Sequence, residues 1–371
     1  MTIKLLYVVS HAIQYQAPLL KQLAGQPEIT LRVVFEKSAG DFDPGFNREI
    51  TWDVPLLEGY DNALLTDTDL AREIAACDVL WLHGWQTPVM RRALILAKRS
   101  GKPVLMRGEN CQLAMPDGQG VRGMIKRRYL HRIFRRCSAF LSIGSDNEKY
   151  YLARGVTTDQ IFPTPYAIDN DRFTSGAEAA RSGRADYKRS LGLDPDRPVI
   201  LYAGKLMARK CPDLLVRAVS QAEFGSPSPQ LVFVGDGDMR GTLQVQAPEA
   251  VFLGFRNQRE LPALYDMADV FVLPSFREPW GLAVNEAMAC STPVVVSDQV
   301  GCAVDLVGEN SGAIFPAGDA DSLAKALVDV LKNSTAMGRA AKTRLESWGF
   351  DQDIAGIKAA IDHVMKATDH G

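Results

Sequence analysis

Arg277-Glu278-Pro279-Trp280-Gly281-Leu282-Ala283-Val284-Asn285-Glu286-Ala287-Met288 places two carboxylates, Glu278 and Glu286, seven residues apart around a glycine, and Pro293-Val294-Val295-Val296 follows. Upstream, Val270-Phe271-Val272-Leu273-Pro274 is an apolar run that ends on proline, the pattern of a buried strand. Leu282 to Ala289 has helical character. The segment is therefore strand, loop, helix, strand, with one Glu in the loop and the other in the first turns of the helix. A helix that starts at the carboxyl end of a parallel strand points free N–H groups outward and binds anions. Carboxylates beside it suit the hydroxyls of a phosphorylated sugar. The plainer reading is a first helical turn rich in Glu, favoured by the helix dipole alone.

The same rhythm runs through the chain. Apolar runs at 3–9, 30–35, 78–82, 103–106, 139–143, 199–203, 230–234, 250–253, 270–273 and 293–296 alternate with helix-period segments such as Ala17–Ala24, Pro88–Lys98 and Asp213–Ala222. Such alternation predicts parallel sheets with crossover helices. The 371 residues suit two domains better than one, with 46% hydrophobic and 23% charged residues to build the cores and surfaces. Between Phe173 and Pro198 the pattern fails, which sets the expected boundaries: an N-terminal domain 1–172, a linker 173–197, a second domain 198–350 and a final helix in 351–371.

Composition excludes several classes. A net charge of −2 gives no reason to expect nucleic acid. Six dispersed cysteines without a Cys-x-x-Cys pair predict reduced thiols in a cytosolic protein. The apolar start at Ile3 to Val9 reads as a first strand, not a signal sequence, and no stretch approaches about 18 apolar residues. Asp-x-Asp occurs seven times, too often in an ordinary composition to mark a metal site.

Three further segments have the Glu278–Glu286 element's strand-end character: Leu201-Tyr202-Ala203-Gly204-Lys205-Leu206 with Lys210, Phe233-Val234-Gly235-Asp236-Gly237, and Pro165-Tyr166-Ala167-Ile168-Asp169-Asn170-Asp171-Arg172-Phe173. Together with the Glu278–Glu286 element, and in their order along the chain, they resemble the family 4 retaining glycosyltransferases (glycosyl transferases group 1) over about residues 138–350. The resemblance implies the GT-B fold: two Rossmann-like parallel-sheet domains facing a cleft, with a C-terminal helix crossing back to the first. It implies metal-independent transfer from a nucleoside-diphosphate sugar to a saccharide or lipid-linked saccharide acceptor, with retained configuration and no cofactor. Cell-surface polysaccharide or glycoconjugate biosynthesis is the expected setting. Fold alone leaves a sugar-nucleotide epimerase, a phosphorylase and a non-catalytic nucleotide-sugar-binding protein open.

Residue by residue, the resemblance makes Lys205 and Lys210 the cations that stabilise a departing diphosphate, next to Gly204. It gives Glu278 to the donor sugar and Glu286 to the ribose. Backbone N–H groups of Trp280 and Gly281 face the sugar, and those of Leu282 and Ala283 the diphosphate; Arg256 lies where the family contacts the base. Four departures stand out. Lys205 replaces the usual Arg and loses its bidentate fork. Cys211 and Ser291 stand where the family has Gly. The loop after the first strand, Ser10-His11-Ala12-Ile13-Gln14-Tyr15-Gln16, lacks its usual glycines. On the acceptor side His11, Gln14 and His83 are candidates. Glu109, after Pro103–Met106, is a candidate catalytic group, with a salt bridge to Arg107 as the structural alternative.

Residues 122–136 carry Arg122, Lys126, Arg127, Arg128, Arg132, Arg135 and Arg136 with no acidic residue from Gly118 to Ser145. Ile125, Tyr129, Leu130, Ile133, Phe134 and Cys137 recur at helical spacing, which predicts an apolar core face and a basic outer face. The basic face is either solvated surface or a patch for an anionic membrane, which would place the protein on the inner face of the cell membrane.

Overall fold

The computed structural model describes residues 2–38, 42–43, 48–49, 51–113, 118 and 120–369. The chain divides into two units: residues 1–40, 55–167 and 349–371 form one, and residues 41–54 and 168–348 the other.

The first unit holds a seven-stranded sheet. Its strands are β1 (Ile3–Val9), β2 (Ile29–Phe35), β3 (Asp61–Leu64), β4 (Val79–His83), β5 (Val104–Arg107), β6 (Ala139–Ser142) and β7 (Ile161–Pro163). Their order is β3-β2-β1-β4-β5-β6-β7. Each pair is parallel, with β1 in register as Ile3 to Ile29 and Leu5 to Val79. The second unit repeats the plan with β8 (Val199–Ala203), β9 (Gln230–Val234), β10 (Val251–Gly254), β11 (Val270–Leu273), β12 (Val294–Ser297) and β13 (Gly312–Phe315), ordered β10-β9-β8-β11-β12-β13. Continuous apolar runs make these strands because both faces of each sheet are covered by helices. β3, β7 and β13 escaped the sequence reading: β3 carries Asp-Asn, β7 has three residues, and β13 opens on a glycine.

In both sheets the strand order reverses once, between β1 and β4 and between β8 and β11. There the crossovers leave toward opposite faces, and the carboxyl ends open into a crevice. The loops leaving β1, β4, β8 and β11 carry His11, Gln14, Lys205, Lys210 and Glu278, and His83 closes β4.

The carboxyl-terminal helix, Phe350–Asp369, belongs to the first unit. It buries Ile354, Ile357, Ile361 and Val364 in the cluster that holds Leu5, Tyr7, Val33 and Trp81. Asp353, on its first turn, meets Arg107 at the end of β5 through a two-point pair: Nη1 to Oδ1 at 3.0 Å and Nη2 to Oδ2 at 2.8 Å. Both side chains are buried, at 3% and 1% exposure.

Two expectations need correction. Residues 173–197 are not a linker: they form the helix Asn170–Arg181, from Asp169, and the helix Arg184–Ser190, both in the second unit. The sequence hid them because close approach and polar anchors hold them, in place of an apolar stripe. A side chain at Gly176 would come within 2.8 Å of Pro262. Arg181 pairs with Asp266 and Arg184 with Asp269. Asp169 caps the first helix by accepting from the Arg172 N–H. The second correction concerns the basic helix, Gly120–Phe134. Leu130, Ile133, Phe134 and Cys137 are core, but Ile125 and Tyr129 are exposed, with Val121 and Met124 beside them. The last turns of this helix pack against Phe140 and Tyr151, and half-way along it Tyr129 meets Trp85 edge-on at 5.9 Å. No helix among the described residues is long and apolar enough to cross a membrane.

The Arg107–Asp353 pair generates a prediction. Removing one partner leaves a buried, uncompensated charge, which costs about 3–5 kcal/mol. Asp353→Ala should lower the stability of the first unit by that amount in urea unfolding, and Asp353→Glu should restore only part. A loss under about 1 kcal/mol for Asp353→Ala would show that the pair is incidental to the helix's docking.

Candidate functional site

In the second unit, β8 ends at Ala203 and the chain turns through Gly204 to Lys210. Tyr202 donates its hydroxyl hydrogen to the Lys205 carbonyl at 2.8 Å, and the Leu206 N–H donates to the Asp236 carbonyl at 2.9 Å. The Phe233–Gly237 turn lies so close that a Cβ at Gly235 would sit 2.0 Å from the Gly204 carbonyl oxygen, which is why glycine occupies it. Lys210 ends a 3-10 turn, and Cys211 after it is left-handed at φ 50°; Ser291 is likewise left-handed at φ 63°. Both non-glycine residues hold a conformation that costs roughly 1–2 kcal/mol.

Glu278 leaves the neighbouring strand. Its backbone is pinned on both sides, donating to the Gln299 carbonyl at 3.1 Å and accepting from the Gly301 N–H at 3.0 Å. Gly301 makes this turn, as its own Cβ would fall 2.0 Å from the Pro279 carbonyl oxygen. The carboxylate of Glu278 lies 2.7 Å from Lys210 Nζ and 3.4 Å from Arg209 Nη1. So the fold brings Lys210 and Glu278 into contact at the crevice edge, and adds Arg209, which the sequence reading passed over.

The helix Leu282–Ala289 begins after Gly281, left-handed at φ 100° and without room for a side chain between Leu273 and Val300. Trp280 is an anchor: its indole N–H donates to Asn285 Oδ1 at 3.0 Å, and its ring stacks on Trp348 at 5.5 Å. Leu282 and Ala283 form the half-buried first turn. Glu286 accepts from the Tyr265 hydroxyl at 2.7 Å. Burial pushes its carboxyl up to about 7, against the pull of that hydrogen bond and of Arg172 and Lys210. Arg256 stands apart from this group: it lies two residues after the edge strand β10 and is taken by Glu260 at 2.8 Å.

The first unit offers a different chemistry at its own crevice edge. His83 Nδ1 lies 2.8 Å from the Tyr7 hydroxyl and 3.2 Å from the Gln16 amide nitrogen. Burial and the Arg107 charge drive its pKa down to about 3, so it is neutral at ordinary pH. Glu109 does not pair with Arg107, which is committed to Asp353; it accepts from the hydroxyls of Tyr166 and Tyr15 instead. His11 is exposed and bonded to Ser10 at 2.9 Å. Gln14 Oε1 is buried with no hydrogen-bond partner among the described residues. Tyr15, Tyr166 and Arg172 lie in segments that the sequence reading quotes without giving them a role, and Tyr265 is not read there at all.

Among the described residues no group of three or more His, Cys, Asp or Glu could hold a metal ion, and no disulfide joins the six cysteines. Several Asp-x-Asp aspartates have structural duties: Asp69, Asp169 and Asp319 cap helices.

Comparison with known proteins accords with this geometry. The family model described as "Glycosyl transferases group 1" matches residues 183–344. A D-inositol 3-phosphate glycosyltransferase of Corynebacterium jeikeium is 34% identical over 208 residues, covering 51% of this chain and 49% of that protein. A GDP-mannose-dependent alpha-(1-6)-phosphatidylinositol monomannoside mannosyltransferase of Mycolicibacterium smegmatis is 32% identical over 201 residues, covering 50% and 51%. The chain thus spans about half the length of these curated relatives. Among solved structures, Anabaena Alr3699/HepE in complex with UDP and glucose superposes with a TM-score of 0.74 at 16% identity, over 97% of this chain and 99% of that one. Sucrose-phosphate synthase from Thermosynechococcus elongatus gives 0.71 at 19% identity, over 98% and 100%. The chain has the GT-B fold, and its residues 183–344 match the group 1 glycosyl transferases.

Proposed function

We propose that this protein transfers a sugar, with retained configuration and without a metal, from a nucleoside-diphosphate sugar to a saccharide or lipid-linked saccharide acceptor. The observation that carries the reading is the Lys210–Glu278 contact at the crevice edge of the matched unit, beside the amino end of Leu282–Ala289. It sets a cation for a diphosphate next to a carboxylate for sugar hydroxyls. Lys205 and Lys210 stabilise the charge that grows on the leaving diphosphate, helped by N–H groups from Trp280 to Ala283 and approached through Gly204. Glu278 takes the donor sugar, Glu286 the ribose and Arg256 the base, for which its contact with Glu260 must open. The names of relatives support the donor: UDP and glucose in one, GDP-mannose in another. In the first unit Glu109, His11, Gln14 and neutral His83 serve the acceptor as hydrogen-bonding groups.

The basic helix supports a membrane-borne acceptor. Val121 and Ile125 are 67% and 61% exposed among outward Arg122, Arg128 and Arg132. Apolar side chains inside a basic face suit an interface of anionic headgroups over acyl chains. Biosynthesis of a cell-surface polysaccharide or glycoconjugate, on the inner face of the membrane, is the setting proposed with it.

A thermal-shift panel with UDP, GDP, ADP and their common sugars is the first test, since a ligand at about 100 times its dissociation constant stabilises by about 2.7 kcal/mol. No shift with any of them would end the proposal. Lys205→Ala and Lys210→Ala should each lower turnover at least about tenfold, up to roughly 2.7–4 kcal/mol of transition-state stabilisation. Glu278→Gln should affect turnover more than nucleoside diphosphate affinity, and Glu286→Gln should weaken that affinity as well. Equal effects of the two on calorimetric titration with the diphosphate contradict the division of roles.

Glu286 also sets a pH dependence. Its native carboxyl titrates near 7, above the ordinary 4.5, so the native state keeps the proton longer than the unfolded chain. Stability from this group is present below about 4.5 and is lost as pH rises through 7, on the order of 1–3 kcal/mol. Ribose hydroxyls favour the ionised form, so diphosphate affinity should rise over the same interval. Glu286→Gln should flatten both trends in urea unfolding and calorimetry; an unchanged slope in the variant assigns the dependence elsewhere.

For the membrane, anionic vesicles should retain more protein than neutral ones at low salt, and added salt should release it. Ile125→Ser with Met124→Ser should weaken retention at constant charge. Equal retention on neutral and anionic vesicles would leave the helix as solvated surface.

A further inference from the structure

Lys210 holds Glu278 at 2.7 Å. Lysine has one charge, and a diphosphate with two or more negative charges competes for it. A donor that takes Lys210 therefore leaves Glu278 without its nearest cation at the moment the carboxylate must meet the sugar. Arg209 is the second cation on the same oxygen. Its Nη1 donates to the Arg277 carbonyl at 2.8 Å and lies 3.4 Å from Glu278 Oε2. In return the Phe276 N–H donates to the Arg209 carbonyl at 2.9 Å. Arg209 is thus bound at both its backbone and its guanidinium to the loop that carries Glu278. Lys210 is tied to that loop only through the carboxylate among the bonds described.

We infer that Arg209 is a positioning residue for Glu278: it keeps the carboxylate aimed when the donor's diphosphate draws Lys210 away. The inference rests on the proposed reading of Glu278 as the partner of the donor sugar. It separates two adjacent cations by role. Lys210 answers to the phosphates; Arg209 answers to the loop. The planar guanidinium suits this because it reaches a carbonyl and a carboxylate at once, which an ammonium on a flexible stem does with less direction.

The test compares the full-length protein with Arg209→Ala, Arg209→Lys and Glu278→Gln. Two quantities are read: affinity for UDP and GDP by calorimetry, and the rate of diphosphate release from UDP-glucose and GDP-mannose. Arg209→Ala should keep the Tm and keep diphosphate affinity within about twofold. Its release rate should fall about tenfold to a hundredfold, the scale of a misplaced reacting group. Arg209→Lys should recover part of the rate, having the charge without the fork. A wild-type rate in Arg209→Ala alongside a slow Glu278→Gln overturns the inference. So does a loss of diphosphate affinity that matches the loss of rate, which makes Arg209 a phosphate contact. If Glu278→Gln keeps the wild-type rate, or the wild-type protein releases diphosphate from neither donor, the reading of the site fails first and the inference falls with it.

Discussion

A parallel strand cannot return directly to its neighbour; it must cross over a face of the sheet. Where the direction of crossing reverses, two adjacent strands send their chains to opposite faces and neither connection covers the gap. This constraint acts twice here, at β1 and β4 and at β8 and β11. The candidate groups from His11 to Glu278 gather at those two places because the backbone there is neither covered nor committed to the ladder. Glycines then set how closely the loops approach. Gly235 lets one turn touch the Lys205 loop, and Gly301 lets another clamp the backbone of Glu278.

The two crevice edges differ in kind. In the second unit the site is ionic: Lys210, Arg209 and Glu278 are paired before any ligand arrives. A charged ligand there exchanges one ionic partner for another, so its gain is a difference between two strong interactions. In the first unit the groups are mostly neutral hydrogen bonders. His83 is held uncharged, and Tyr7, Gln16, Tyr15 and Tyr166 surround it and Glu109 with hydroxyls and an amide. Such a surface matches hydroxyl-rich molecules better than phosphates.

Much of this was legible in the sequence for a definite reason. Buried parallel strands are apolar on both faces, so their runs stand out, and Val270–Leu273 and Leu282–Ala289 fall where the pattern put them. What failed to show was structure made without an apolar period. Asn170–Arg181 is fixed by a glycine against Pro262, an aspartate cap and ion pairs. Short strands such as β7 have too few residues to show a period. Site partners at long range were invisible for a related cause. Asp353 lies 246 residues from Arg107, and its Asp-x-Asp setting looked like the other six copies. Ile125 and Tyr129 fitted the helical spacing, but spacing does not say how many turns of a helix the sheet can cover.

The carboxyl-terminal helix also bears on how the chain is made. A ribosome delivers residues in order, and domains fold as they become complete. All of residues 168–348 emerge before the last piece of the first unit does. The unit begun first is therefore finished last. Until Phe350–Asp369 appears, Leu5, Tyr7 and Trp81 lack part of their cover and Arg107 lacks its counter-charge. Residues 168–348 can thus settle while the first unit still waits for its last helix.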